Sequence, residues 1–260
     1  MIRNPGRGTT PGVVATLIGL VLLQAGLLSA ATFRVSPVRL SLTASGTSGL
    51  LTLSNESSET LRFQLTAFGW AQGPGGEMEL TPTEEIVLFP RLLTLEPGKE
   101  RKIRVGATVP FAASEKTYRV FVEELPSAYK PTESGSGVRV LTRMGIPIFL
   151  RPPKPLAGGA IEKPSVEDGR LRFSIRNSGN VHLMLETVGL RGIGEAGETV
   201  LDQHLEGWYV LAGGVRQYDL PLSPEQCGRV RSLRIEARTE TGTLSDVLDV
   251  RPGACRSPGG

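Results

Sequence analysis

Apolar residues along this chain recur at every second position in short runs, and most runs stop at proline or glycine. Period two with frequent turns fits half-buried β-strands and excludes long amphipathic helices. Phe33–Ser36 and Val38–Leu42 read as one strand interrupted at Pro37, where a ladder donor is missing. Leu51–Asn55 follows, and Arg62–Phe68 alternates so that Phe63, Leu65 and Ala67 share a face. Gln72–Gly76 reads as a loop, and Glu85–Phe89 and Leu92–Leu95 flank a break at Pro90. Glu96-Pro97-Gly98-Lys99 has tight-turn chemistry, with Pro setting φ at one corner and Gly allowing a positive φ at the next. Lys102–Val105 and Tyr118–Glu123 are further strands, Pro126–Gly137 is a loop, and the last strand of this unit runs from Val138 through Phe149. Seven or so short strands predict an immunoglobulin-like β-sandwich.

The 260 residues are enough for two such units after a leader. Arg3 and Arg7 precede an uncharged, mostly apolar run from Val13 to Leu28, and Leu28-Ser29-Ala30-Ala31 offers the small residues of a cleavage site. Gly19, Gln24 and Gly26 weaken the run as a permanent membrane span. The expected organisation is a signal peptide over 1–31, a first domain over 32–152 and a second over 153–260. It implies export, with no span left after cleavage. The proline-rich segment Arg151–Gly159 marks the junction and keeps it stiff. Beyond it, Leu171–Ile175, His182–Leu190, Trp208–Leu211, Leu233–Ala237 and Val247–Val250 read as the strands of a second, smaller β unit. The chain's two cysteines, Cys227 and Cys255, suit a disulfide in an oxidising compartment, worth about 3 kcal/mol by chain entropy.

Catalytic chemistry finds no foothold. The two histidines, His182 and His204, lie near neither cysteine, and no zinc spacing, nucleophile elbow or Walker loop occurs. Gly192–Gly197 matches G-x-G-x-x-G, but a dinucleotide site needs a helix to start there; Glu195, Glu198 and the strand-like residues beyond read instead as a hairpin loop. Glu84-Glu85 and Glu123-Glu124 are adjacent pairs whose side chains point to opposite faces of a strand. A net charge of +3 with interspersed signs, and 5% aromatic residues, argue against a nucleic-acid partner. The expectation is a binding protein with no enzyme activity, no cofactor and no metal.

Several first-unit segments together resemble one family. They are Val35-Ser36-Pro37-Val38-Arg39-Leu40, Leu51–Asn55, Phe68-Gly69-Trp70-Ala71-Gln72, Leu80-Thr81-Pro82-Thr83, Leu95-Glu96-Pro97-Gly98-Lys99, Glu115–Arg119, Glu124-Leu125-Pro126 and Ile146-Pro147-Ile148-Phe149. Over residues 33 to 152, and in this order, they resemble the periplasmic chaperones of chaperone–usher pilus assembly. The Trp-Ala-Gln, Pro-Thr and Ile-Pro-Ile-Phe pieces are similar to its archaic or alternative branch.

The resemblance implies two immunoglobulin-like domains in a boomerang. Such a protein binds, folds and caps pilus (fimbrial) subunits by lending them an edge strand, then delivers them to an outer-membrane usher. Arg39 matches the arginine that holds the subunit's C-terminal carboxylate. The lysine that usually shares this task is replaced by Pro147; Arg119 on the neighbouring strand is the substitute, with Arg143 and Arg104 behind it. Val138 and Val140 share a face, either towards their own core or outwards as donor-strand contacts. Glu115 and Arg151 match two members of an interdomain ionic cluster, with Glu240 as a candidate third. The free state, monomer or self-capping dimer, stays open. The alternative is a periplasmic or surface adhesion module built on the same sandwich.

Overall fold

The structure is a computed structural model that describes residues 33–73, 75–126, 140–251 and 254. The expected signal peptide lies outside them. Among the described residues no helix is long and apolar enough to cross a membrane.

Among the described residues the first half contains ten strands: β1 (Phe33–Ser36), β2 (Leu40–Leu42), β3 (Ser48–Asn55), β4 (Leu61–Gln72), β5 (Met78–Pro82), β6 (Ile86–Phe89), β7 (Leu92–Leu95), β8 (Glu100–Ala107), β9 (Lys116–Leu125) and β10 (Arg143–Leu150). They form two facing sheets, one ordered β1-β3-β8-β6, the other β2-β10-β9-β4-β5 with β7 on the far end of β4. The inward alternate residues, among them Leu51, Phe63, Ile103, Val120 and Ile148, are fully buried between the sheets. Both proline breaks mark places where the chain changes sheet. After Pro37 it leaves β1, which pairs with β3, for β2, which pairs with β10. After Pro90 it leaves β6, on β8, for β7, on β4. At Glu96–Lys99 the Lys99 N–H donates to the Glu96 carbonyl at 3.1 Å and Gly98 has φ 68°, the positive φ that a type II turn requires.

The last strand of this half is shorter than its sequence suggests. β10 begins at Arg143, and Val140 lies before it with no strand partner. The β9–β10 register, Arg143 opposite Glu123, would set Val140 against Pro126. Proline has no N–H to give, so the ladder ends with Glu124 N–H donating to the Thr142 carbonyl at 3.0 Å. Val138 and the Pro126–Gly137 loop beyond Pro126 lie outside the described residues.

The second half contains β11 (Gly159–Glu167), β12 (Arg170–Asn177), β13 (Leu183–Ile193), β14 (Thr199–Glu206), β15 (Tyr209–Val210), β16 (Val215–Pro221), the short helix α1 (Pro224–Arg229), β17 (Ser232–Thr239) and β18 (Gly242–Asp249). A sheet β11-β12-β16 faces a sheet β14-β13-β17-β18 that also carries β15, over a separate core with Leu171, Ile175, Leu185, Leu233 and Ile235. The G-x-G-x-x-G segment joins β13 to β14 as a hairpin, with Gly194 N–H on the Glu198 carbonyl at 2.8 Å. Cys227, on α1, is buried and disulfide-bonded; Cys255 lies outside the described residues.

A third, smaller cluster joins the halves. Trp70 and Phe149 from the first pack with Tyr209 and Leu211 from the second, flanked by the partly buried Leu80, Met184 and Trp208. Gln72 reinforces it, donating through Nε2 to the Tyr209 carbonyl at 2.8 Å and accepting from Leu211 N–H at 2.9 Å.

Candidate functional site

In an antiparallel ladder the residues of one strand turn their N–H and C=O alternately to one neighbour and then to the other. The Glu124–Thr142 bond makes the even-numbered residues of β10 face β9; Arg151 N–H, on the Leu42 carbonyl at 2.9 Å, shows the odd-numbered ones facing β2. Yet β2 pairs with β10 only over Ile148–Leu150. Residues 143 and 145 therefore turn their backbone groups to an edge with no strand on it among the described residues, and at Pro147, where β2 begins to pair, the donor is missing. Met144, Ile146 and Ile148 point into the core. The other face of β10 carries Gly145, Pro147 and Phe149, towards the second half of the chain.

Arg119 lies on that face, opposite Pro147 in the ladder. It is only 5% exposed. Its guanidinium sits 4.1 Å from the ring centre of Trp70 and 5.3 Å from that of Trp208, a cation–π arrangement with one indole from each half. Nη1 donates to the Gly145 carbonyl at 3.1 Å, on the open edge itself. Nε and Nη2 have no acceptor, and neither has the buried Nε1 of Trp70. Desolvation lowers the Arg119 pKa, though an arginine stays charged. A buried cation with two idle donors is costly unless an acceptor reaches it.

Arg39 follows β1, half-exposed, and pairs with Glu240 at 2.6 Å. Glu240 sits in the turn between β17 and β18, so the pair bridges the two halves, and the hydrogen bond to Glu240 raises the Arg39 pKa. Arg143 pairs with Glu123 at 2.7 Å and lies over the Phe121 ring at 3.9 Å. Arg104 belongs to β8 in the other sheet and bonds Ser48 at 3.3 Å.

The three residues expected as one ionic cluster are not gathered. Glu115 is buried and binds His182, whose backbone N–H lies at 2.9 Å and ring Nδ1 at 2.7 Å from the same Oε1. Glu240 is on Arg39, and the exposed Arg151 side chain joins neither. The reason is local: His182, stacked on Phe149 at 3.8 Å, offers Glu115 two donors on the spot. Val140, 75% exposed, does not face its own core. His182, Trp70, Trp208 and Tyr209 were not singled out from the sequence as site residues. The isolated Trp within the alternating Phe68–Gln72 run was the one available signal. Among the described residues no group of three His, Cys, Asp or Glu side chains is arranged to hold a metal ion.

Residues 32–155 match the family model described as pili and flagellar-assembly chaperone, PapD N-terminal domain. No curated protein sequence matches the chain. Among solved structures, the fold is similar to a chain of the CsuC–CsuE chaperone–tip adhesion subunit pre-assembly complex from the archaic chaperone–usher Csu pili of Acinetobacter baumannii. That alignment has a TM-score of 0.58 and 18% identity, over 85% of this chain and 98% of that one. The Salmonella enterica SafA pilin–SafB chaperone complex gives 0.53 and 16%, over 85% and 98%. The Pseudomonas aeruginosa CupB2 chaperone gives 0.51 and 14%, over 84% and 100%. At these identities the likeness establishes the fold: a two-domain β-sandwich.

Proposed function

We propose that the chain, whose residues 32–155 match the PapD N-terminal domain model, is a periplasmic chaperone that binds, folds and caps fimbrial subunits by donor-strand complementation. The matched family model and the similar solved structures are of chaperones rather than enzymes, which supports a non-enzymatic reading. Residues 32–152 form the subunit-binding domain and 153–260 the second domain, after removal of 1–31. The observation that carries the reading is the open edge of β10, with the Arg119 guanidinium tied to it at Gly145. A subunit that lacks its final strand adds along that edge, main-chain bonds supplying affinity. Val138 and Val140 fill its groove, and its C-terminal carboxylate is taken by Arg39 and Arg119. The capped subunit then passes to an outer-membrane usher, where a neighbour's extension replaces the chaperone strand. An adhesion module would have no use for an unfinished edge beside a buried cation.

Co-expression with candidate fimbrial subunits, followed by purification of a one-to-one complex, tests this. Arg39→Ala and Arg119→Gln should each lower subunit recovery roughly tenfold or more, since charged hydrogen bonds are being removed. Their circular dichroism should remain that of the parent. Undiminished recovery from both variants would remove the anchoring claim.

A further inference from the structure

The Trp70–Arg119 pair holds three buried donors without an acceptor: Nε and Nη2 of Arg119 and Nε1 of Trp70. Buried donors in folded proteins are nearly always satisfied, and exceptions grouped on one stacked pair call for a missing acceptor. An anion with two oxygens fits a guanidinium fork. The same atoms have almost no contact with solvent, so nothing reaches them in the state described here.

What closes the site differs in kind from what builds it. Trp70 is 4% exposed, and its carbonyl is held by the Thr117 hydroxyl at 2.6 Å. Trp208 comes from the second half of the chain, outside any strand, and is only partly buried. Its backbone is fixed, with Leu185 N–H on the Trp208 carbonyl at 3.0 Å and Gly207 N–H on the Glu186 carbonyl at 3.1 Å. The indole is held by ring contacts, to Arg119 and edge-on to Tyr209 at 5.8 Å, which a rotamer change can break. We propose that Arg119 and Trp70 form a carboxylate pocket and that the Trp208 indole is its lid, so that the second domain gates the anchor used by the first. This rests on the subunit-binding reading above and adds its regulation. Closed, the indole shields the guanidinium by cation–π contact; open, it yields the fork to the incoming chain terminus. The affinity of the closed protein is reduced by the fraction of time the lid is shut.

The chain has two tryptophans, and both flank Arg119. Intrinsic fluorescence therefore reports on this pocket without a label. The probe is a lysine-tagged decapeptide of alternating valine and threonine, with either a free C-terminal carboxylate or an amide, titrated into the full chain and followed by calorimetry and tryptophan emission. The free acid should bind with a red shift as Trp208 meets water, and roughly tenfold tighter than the amide. Arg119→Gln should erase that preference. Trp208→Ala should bind the acid roughly threefold tighter or more, having no lid to open. Arg119-dependent binding with unmoved emission and an unchanged Trp208→Ala affinity would overturn the lid while sparing the chaperone reading. Equal binding of acid and amide, or binding of neither, would overturn the pocket and the carboxylate anchor together.

Discussion

Glu85 is held by two neighbours on one side of β9: the Tyr118 hydroxyl donates to it, and the Lys116 ammonium lies at 3.2 Å. The Tyr118 hydrogen bond, with help from Lys116, keeps the Glu85 carboxyl below the usual carboxylate range, while burial and then this bond push the Tyr118 phenol up. A carboxylate whose folded pKa is depressed stabilises the fold above its unfolded pKa, and the contribution fades as pH falls through the folded value. Glu85→Gln should accordingly be less stable than the parent in urea at neutral pH, with the gap closing on acidification below the ordinary carboxylate range. A gap that persists undiminished in acid would assign the effect to packing. Glu115 illustrates how far single residues were legible. Its motif marked it as an interdomain residue, but its partner lies 67 positions away, and no local pattern records a contact across two sandwiches. Arg104, Arg119 and Arg143 had a legible address for the converse reason: each sits in an alternating strand, whereas Arg39 lies in the bend between β1 and β2 and is placed only by its matched neighbours.

At the scale of elements, period two carried the reading well, because a half-buried strand writes its burial directly into the chain. Ends were harder. The limit of β10 is set by the absent N–H of Pro126, just past the end of β9, and becomes visible only once the register is known. Pro37 and Pro90 were legible as breaks, but not as the points where the chain crosses between sheets. Gly207 shows the same dependence on neighbours. A Cβ built there would lie 1.8 Å from the Leu185 carbonyl oxygen and 2.3 Å from its carbon, both backbone atoms that cannot swing aside. Gly207→Ala should cost about 3 kcal/mol, the upper range for overpacking, by forcing the β14–β15 connection off β13. Denaturant unfolding checks this, and a loss under 1 kcal/mol would mean that the connection shifts freely. The same substitution should disturb Trp208, the next residue.

For the whole molecule, composition misled by averaging. Aromatic residues are 5% of the chain, yet both tryptophans gather with Phe149 and Tyr209 where the two sandwiches meet. Tyr209 has ring contacts to Trp70 at 5.5 Å, Phe149 at 5.6 Å and His182 at 5.4 Å. Such a joint makes the halves melt together. Tyr209→Ala, a loss of about 3 kcal/mol by analogy with buried aromatic truncations, should split the calorimetric unfolding into two transitions; a single cooperative peak would show that the polar bridges suffice. One last consequence belongs to Pro147. A bare strand edge is a template for polymerisation, on which successive copies of a protein can stack into fibres. With its ring where an amide would be, and Arg119 across the neighbouring carbonyl, β10 offers an interrupted template. A second copy stacking along β10 would therefore lose one ladder bond at Pro147, which makes self-association on this edge less favourable.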